Sequence, residues 1–275
     1  MMIKIENLKF KYKKNKTIFK NVSAYLEKDN IYVLVGENGS GKTTLLKILS
    51  HNTNNYTGNI ILNNDKSVSI KSISTNMIES EMFLRHLTVI DLVNYIIEIN
   101  KIKMSDNFKH IYSLLGIKSY EELYIEQLSL GMKQKLYIAL TFLEDKKIIL
   151  LDEPTNSLDL ESKIKFLNFL KKIKKNKIII IASHEADLII AISQYIVMIQ
   201  NKSLVFKKSD NNLRYAITTR EKINFDKIYN IENYIYDINE YYILTKTISF
   251  ENLRNLVNLI NNNFIITDMR IIYGE

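Results

Sequence analysis

Apolar and polar positions alternate from the start of the chain, Met1-Met2-Ile3-Lys4-Ile5-Glu6, with the two-residue period of a half-buried strand. Residues 3–35 are predicted to be strands, with a turn around Lys13-Lys14-Asn15-Lys16. They end in the apolar run Ile31-Tyr32-Val33-Leu34-Val35, after which Leu45-Leu46-Lys47-Ile48-Leu49 turns helical. A polar turn over Asn52–Asn59 precedes strands expected at Ile60–Asn63 and around Val68–Thr75. From Thr88 the spacing is helical again: Val89, Leu92, Val93, Ile96 and Ile97 mark one face. Helices are also expected over Phe108–Leu115 and Tyr120–Glu126, so residues 85–145 read as mostly helical. Ser129 reads as the N-cap of a further helix carrying Leu136, Ala139, Leu140 and Leu143. Two unbroken aliphatic runs, Ile148–Leu151 and Ile178–Ala182, read as buried strands on either side of a helix over 160–172. Strands Ile196–Gln200 and Ser203–Phe206, joined at Asn201-Lys202, close a main α/β domain at about residue 207.

Residues 208–275 carry a separate pattern. A strand (Leu213–Thr218), a short helix, two strands (Ile231–Ile238 and Tyr241–Thr247), a helix from Ser249 and a strand (Phe264–Ile272) are expected. That β-α-β-β-α-β order predicts a small α+β extension of ferredoxin-like kind. It holds no acid cluster and no glycine loop, so contacts rather than chemistry are expected of it.

Composition narrows the class without deciding it. A hydrophobic content of 46% with 25% charged residues over 275 residues is that of a globular protein with a proper core. Cys 0 excludes disulfides and thiolate metal sites and fits a reducing compartment. Apolar runs such as Ile178–Ala182 are strand length, well short of the ~20 residues that span a bilayer, and the N-terminus lacks the apolar core of a signal peptide. The chain is therefore expected to be soluble or peripheral. Net charge +8 could serve nucleic acid or an anionic membrane, but lysine is spread throughout, and Lys171-Lys172-Ile173-Lys174-Lys175 reads as a solvated helix end. No nucleic-acid partner is expected.

Glycine is used sparingly, Gly 7 in all, and Gly36, Gly39 and Gly41 fall in one stretch, Gly36-Glu37-Asn38-Gly39-Ser40-Gly41-Lys42-Thr43-Thr44. Strand, glycine-rich turn, then Lys-Thr opening a helix is the phosphate-binding loop. The glycines let several backbone N–H groups converge on one phosphate, and the helix from Lys42 adds the positive end of its dipole. Lys42 is expected to neutralise the β- and γ-phosphates and Thr43 to offer its hydroxyl to Mg²⁺. The stretch is read as a nucleoside triphosphate site. Tyr12, just before the first turn, is on position alone either core filler or a ring that stacks on a base, filler being the plainer reading.

Two further strand ends carry chemistry. Ile148–Leu151 runs into Asp152-Glu153-Pro154, and acids at a strand's C-terminal end beside a phosphate loop are where Mg²⁺ and an attacking water must be handled. Ile178–Ala182 delivers Ser183-His184-Glu185, which puts a histidine at the matching end of another strand.

In this order the pieces resemble the nucleotide-binding subunit of ATP-binding-cassette (ABC) transporters, over about residues 1–207. The resemblance implies a P-loop cassette: a mostly parallel core sheet, an antiparallel β subdomain and a helical subdomain at about 85–145. It implies that Tyr12 stacks on adenine, reversing the reading from position alone. Asp152 would hold Mg²⁺, and Glu153 would be the general base for the attacking water. Asp159 would belong to a loop that crosses a dimer interface, and His184 would touch the γ-phosphate. Ser129 and Gly131 would form the signature that meets ATP held by another subunit. The signature departs from the family's usual Leu-Ser-Gly-Gly-Gln: Leu130 and Met132 replace a glycine and the glutamine. The form Ser-Leu-Gly-Met-Lys-Gln is similar to that of bacterial exporters of drugs, antimicrobial peptides and lantibiotics. A family glutamine that couples Mg²⁺ to the membrane subunit falls, by counting back from Leu87-Thr88-Val89, on Glu79.

The implied protein is an ATPase that needs ATP and Mg²⁺. It would pair with a second ATP-binding subunit, as homodimer or heterodimer, and drive a separate membrane-spanning permease through a docking surface around Glu81–Leu87. It would sit in the cytoplasm, peripheral on the inner face of the membrane. The alternative is a soluble ABC ATPase acting on ribosomes or DNA. Such proteins usually carry two cassettes or long coiled coils, whereas this chain has one phosphate loop and no sustained heptads.

Overall fold

The computed structural model describes residues 1–12, 16–63, 74–76, 85–183, 192–208, 212–219, 231–237, 240–245, 248–249, 256 and 266–272. The chain divides into two units, Met1–Ala186 with Tyr195–Lys207, and Asp187–Gln194 with Lys208–Glu275.

In the first unit, β1 (Met2–Lys11) alternates strictly enough to bury Ile3, Ile5, Leu8 and Phe10. It pairs antiparallel with β2 (Thr17–Glu27) on one side and β4 (Tyr56–Leu62) on the other, as a three-stranded sheet. β4 starts at Tyr56, inside the expected polar turn, because Gly58 carries a positive φ of 102° where β1 bulges between Glu6 and Lys9.

The larger sheet has six strands in the order β5-β6-β7-β3-β8-β9. Its members are β3 (Asn30–Val35), β5 (Ser74–Asn76), β6 (Ile148–Asp152), β7 (Ile178–Ala182), β8 (Tyr195–Gln200) and β9 (Ser203–Lys208). β5/β6, β6/β7, β7/β3 and β3/β8 pair in parallel. Ile31–Leu34, Ile148–Leu151 and Ile178–Ala182 are buried throughout, as strands covered on both faces must be, and this explains why they show no alternation. Between β8 and β9, Asn201 and Lys202 both take positive φ, 49° and 63°, the geometry of a tight two-residue hairpin turn.

α1 (Lys42–Leu49) follows β3, packs on β6 and β7, and buries Leu45, Leu46, Ile48 and Leu49. The helical part contains α2 (Val89–Asn100), α3 (Asp106–Leu114) and α4 (Leu130–Thr141), capped by Thr88, Ser105 and Ser129 respectively. α4 buries every residue from Leu136 to Thr141, so it is packed all round rather than amphipathic. The helix expected over Tyr120–Glu126 is not formed. Short 3₁₀ turns at Ile117–Tyr120 and Ile125–Gln127 flank a link whose backbone instead bonds across to the start of α2, Val89 to Leu123 and Ile90 to Glu121. α5 (Leu160–Ile173) buries Ile164, Phe166, Leu167, Phe169 and Leu170.

The second unit contains β10 (Asn212–Thr219), β11 (Ile231–Asp237), β12 (Glu240–Thr245), β13 (Ile248–Ser249) and β14 (Ile266–Ile272). β12 lies between β11 and β10, β14 pairs on the other side of β10, and all pairs are antiparallel. That places one strand between the first and second of the unit. Ser249, expected to open a helix, ends the two-residue strand β13 against the start of β10. The expected helices of this unit lie outside the described residues, Leu256 apart.

Candidate functional site

Register brings three strand ends level. In the larger sheet Leu34 pairs with Ala182 and Ala182 with Asp152. The residues just beyond that row, Val35, Ser183 and Glu153, with Gly36 one further on, therefore emerge on one edge at the C-terminal ends of parallel strands, where α/β sheets place their ligand crevice.

The turn after β3 is shaped by glycine at its exit. Gly41, the N-cap of α1, has φ 117°, and a Cβ there would collide with the Ile18 side chain and sit 3.1 Å from Phe19 Cζ. β2 thus holds the loop from below. Lys42 is buried, and its ammonium donates to the carbonyl oxygens of Gly36 at 2.7 Å and Glu37 at 3.4 Å. A buried cation arched back over its own loop leaves charge concentrated in the hollow the loop surrounds. That hollow is a cavity of about 290 Å³ whose lining includes Tyr12, Lys16, Ile18, Asn38, Lys42, Thr43 and Glu153. Such a volume, with two lysines and backbone amides on its walls, suits a polyphosphate.

Tyr12 stands at one wall, 46% exposed. Its hydroxyl and Thr44 Oγ1 are 2.8 Å apart, and its ring meets Phe10 edge-on at a centroid distance of 4.9 Å. The ring is therefore no core filler: it is exposed and lines the cavity.

At the end of β6, Asp152 takes a hydrogen bond from the Thr43 hydroxyl. Burial pushes its carboxyl up from the ordinary range; the Thr43 bond pulls it back, the charge on Glu153 adds to the rise, and Lys47 and Lys42 oppose it, with a net upward direction. Its Oδ1 is buried and finds no hydrogen-bond partner. A carboxylate oxygen left in that state, beside a hydroxyl that opens on the cavity, fits a hard divalent cation or the water bound to one. No cluster of three acidic or histidine ligands exists among the described residues, so such a cation would share Asp152 and Thr43 with oxygens of the bound phosphates.

Glu153 lines the cavity in a left-handed backbone conformation, φ 46°. An L-residue rarely holds that conformation unless its surroundings impose it. Its N–H donates to Ala182 O at 2.8 Å, and the Gln134 side chain donates to the carbonyls of Glu153 at 3.3 Å and Pro154 at 2.8 Å.

The start of α4 is tied to the segment after β6. Ser129 caps α4 by accepting from Met132 N–H at 3.2 Å. A Cβ on Gly131 would lie 2.8 Å from Ser157 O, a backbone atom that cannot yield cheaply, so glycine here permits close packing as well as any ligand contact. Asp159 caps α5 through Ser162 N–H at 2.8 Å and meets Lys135 at 3.0 Å. Burial raises the Asp159 carboxyl, but the Ser162 N–H and the Lys135 ammonium outweigh it, so its net direction is down.

The cavity thus brings together Tyr12, Asn38, Gly39, Gly41, Lys42, Thr43, Thr44 and Glu153, with Asp152 bonded to Thr43. Gly36, Glu37 and Ser40 belong to the same loop but line a separate hollow beside Met198–Asn201. Ser129 and Gly131 do not line the cavity. His184, Glu79 and Glu81–Leu84 lie outside the described residues. Lys16 and Ile18 line the cavity without having stood out in sequence, Lys16 because it sits in a lysine-rich turn and Ile18 because it looks like any strand residue. Among the described residues no helix is long and apolar enough to cross a membrane.

A family model described as "ABC transporter" matches residues 19–156. The chain is 35% identical to a Bacillus subtilis protein named as an uncharacterized ABC transporter ATP-binding protein, over 70% of this chain and 89% of that one. It is 29% identical to the lantibiotic transport ATP-binding protein SrtF of Streptococcus pyogenes, over 82% of this chain and 99% of that one. Of a putative ABC transporter ATP-binding protein from Clostridium tetani, 28% identical, it spans only 51%. Proteins named for zinc and sulfonate import match as well. Among solved structures, a dimeric bacterial ABC transporter cassette, MJ0796, superposes with a TM-score of 0.64 at 23% identity, over 75% of this chain and 98% of that one.

Proposed function

Because the chain belongs to the ABC transporter family and carries its ATP-binding, ATP-hydrolysing domain, we propose that it binds Mg-ATP in the cavity over the Gly36–Thr44 loop. Hydrolysis there would power a separate membrane permease. The observation that carries this reading is the buried, unpartnered Asp152 Oδ1 beside Thr43, with Lys42 across the loop. Lys42 and the loop amides hold the phosphates, and Tyr12 offers its exposed ring to the base. Thr43 and Asp152 hold Mg²⁺, which when bound shields the charge of the phosphate oxygens. Glu153 takes a proton from the water that attacks the γ-phosphorus, and the bond to the β-phosphate oxygen breaks to release ADP and phosphate. His184, one residue past Ser183, would meet the γ-phosphate, and Glu79 would serve the cation. Ser129 and Gly131 lie outside this cavity, which agrees with a head-to-tail dimer in which they close the partner subunit's site. In that arrangement the chain is peripheral on the cytoplasmic face of the membrane.

Asp152→Asn keeps the shape and removes the charge. ATP affinity measured by calorimetry should lose its dependence on Mg²⁺, while affinity in EDTA stays near that of the parent. An unchanged Mg²⁺ dependence would refute the metal assignment.

For cargo, the signature variant around Leu130 and the match to SrtF favour export of antimicrobial peptides or related amphiphiles. Cells lacking this chain should then become more sensitive to a lantibiotic such as nisin, with resistance restored by the parent and not by Lys42→Ala. Equal sensitivity in all three strains would remove that cargo class.

A further inference from the structure

We infer that Ser183 is a positioning residue for Glu153, setting the direction in which its carboxylate faces the cavity. This inference rests on the reading of Glu153 as the general base.

Ser183 leaves the end of β7 fully buried, at 0% exposure, with its N–H on Leu34 O at 3.3 Å. β3 and β7 thereby fix its backbone, and the hydroxyl is delivered from a rigid edge. That hydroxyl donates to Glu153 Oε2 at 3.1 Å. Glu153 needs such a guide. It sits past the end of β6 with φ 46°, outside the regular strand geometry that would otherwise direct its side chain. Its backbone is secured by Ala182 O and by Gln134, but neither contact acts on the carboxylate. Ser183 thus holds Oε2 at a fixed point on the strand edge, and with it the plane of the carboxylate. A base must lie within hydrogen-bond reach of the water it activates, and displacements of about 1 Å can cost roughly 10²-fold in rate. A serine at this point therefore acts on the rate through geometry and not on ATP affinity.

The test uses the full-length chain with Mg-ATP and compares Ser183→Ala, Ser183→Thr and Glu153→Ala, alone and with Ser183→Ala added to Glu153→Ala. The expected result for Ser183→Ala is a kcat lowered roughly tenfold, with KM and ATP affinity within about twofold of the parent. Ser183→Thr retains the hydroxyl and should restore kcat to within about twofold of the parent. In the Glu153→Ala background Ser183→Ala should change the residual single-turnover rate hardly at all, because no carboxylate is left to orient. If Ser183→Ala does not fold, Ser183→Cys fills similar space with a much weaker donor and should show the same loss of kcat. Parental kcat in Ser183→Ala, or a tenfold loss that persists in the Glu153→Ala background, would overturn the positioning role. Parental turnover in Glu153→Ala alone would instead overturn the base assignment beneath it.

Discussion

Lys42→Ala should lower the affinity of this chain for ATP by roughly 10³-fold, an estimate that follows from about 4 kcal/mol for a charge pair 4 Å apart at an effective dielectric of 20. The side chain is buried and its ammonium is already turned over the loop, so little reorganisation is needed before it meets a phosphate. Alanine removes that charge without touching the glycine turn, the helix dipole or Tyr12. The fold should survive the change. Gly36 O and Glu37 O lose a donor, but Gly36 is only half-buried and Glu37 exposed, so water can replace it. Calorimetry with Mg-ATP, alongside the thermal melt of each protein, separates lost binding from lost structure. An alanine variant that melts like the parent and binds ATP equally well would show that the cavity is not a phosphate site.

The parts of this site that were legible in sequence are those in which local chemistry admits few alternatives. A glycine turn between a buried strand and Lys-Thr, or two carboxylates after four aliphatics, makes poor structural sense except beside a phosphate and a cation. Register then supplies what no local pattern can: Leu34, Ala182 and Asp152 stand in one row only because β3, β7 and β6 pair in parallel. The roles of Ser183 and Gln134 were not visible for that reason. Each acts on Glu153 across sequence distances of 30 and 19 residues, through contacts that exist only after the sheet and α4 have assembled. The link after Tyr120 departs from its local pattern for the opposite reason. Its residues favour a helix locally, but Leu123 and Glu121 carbonyls are needed to satisfy the free N–H groups at the start of α2, and that tertiary demand prevails. Gly58 lies in a polar stretch that has the composition of a turn. Here it permits the close approach of β4 to a bulge in β1.

Glu153→Gln should bind ATP like the parent and hydrolyse it 10²- to 10⁴-fold more slowly, the range that general-base removal ordinarily costs. The substitution keeps the length of the side chain, and its amide oxygen can still accept from Ser183, so the left-handed backbone at φ 46° and the contacts to Ala182 and Gln134 need not change. Only the capacity to take a proton from water is lost. The consequence should extend to assembly. If two subunits close around ATP, with Ser129 and Gly131 of each completing the other's site, hydrolysis is what reopens them. A subunit that cannot hydrolyse therefore holds its partner. Size-exclusion chromatography of the glutamine variant should show a dimer when Mg-ATP is present and a monomer when it is absent. The parent, which turns ATP over, should run mainly as a monomer in both. Adding Lys42→Ala to the glutamine variant removes the nucleotide and should abolish the dimer, which ties assembly to the bound phosphates rather than to a surface made sticky by the mutation. A glutamine variant that is slow but monomeric with ATP would retain Glu153 as the base and reject the closed dimer. One that turns over at the parental rate would move the base to another residue.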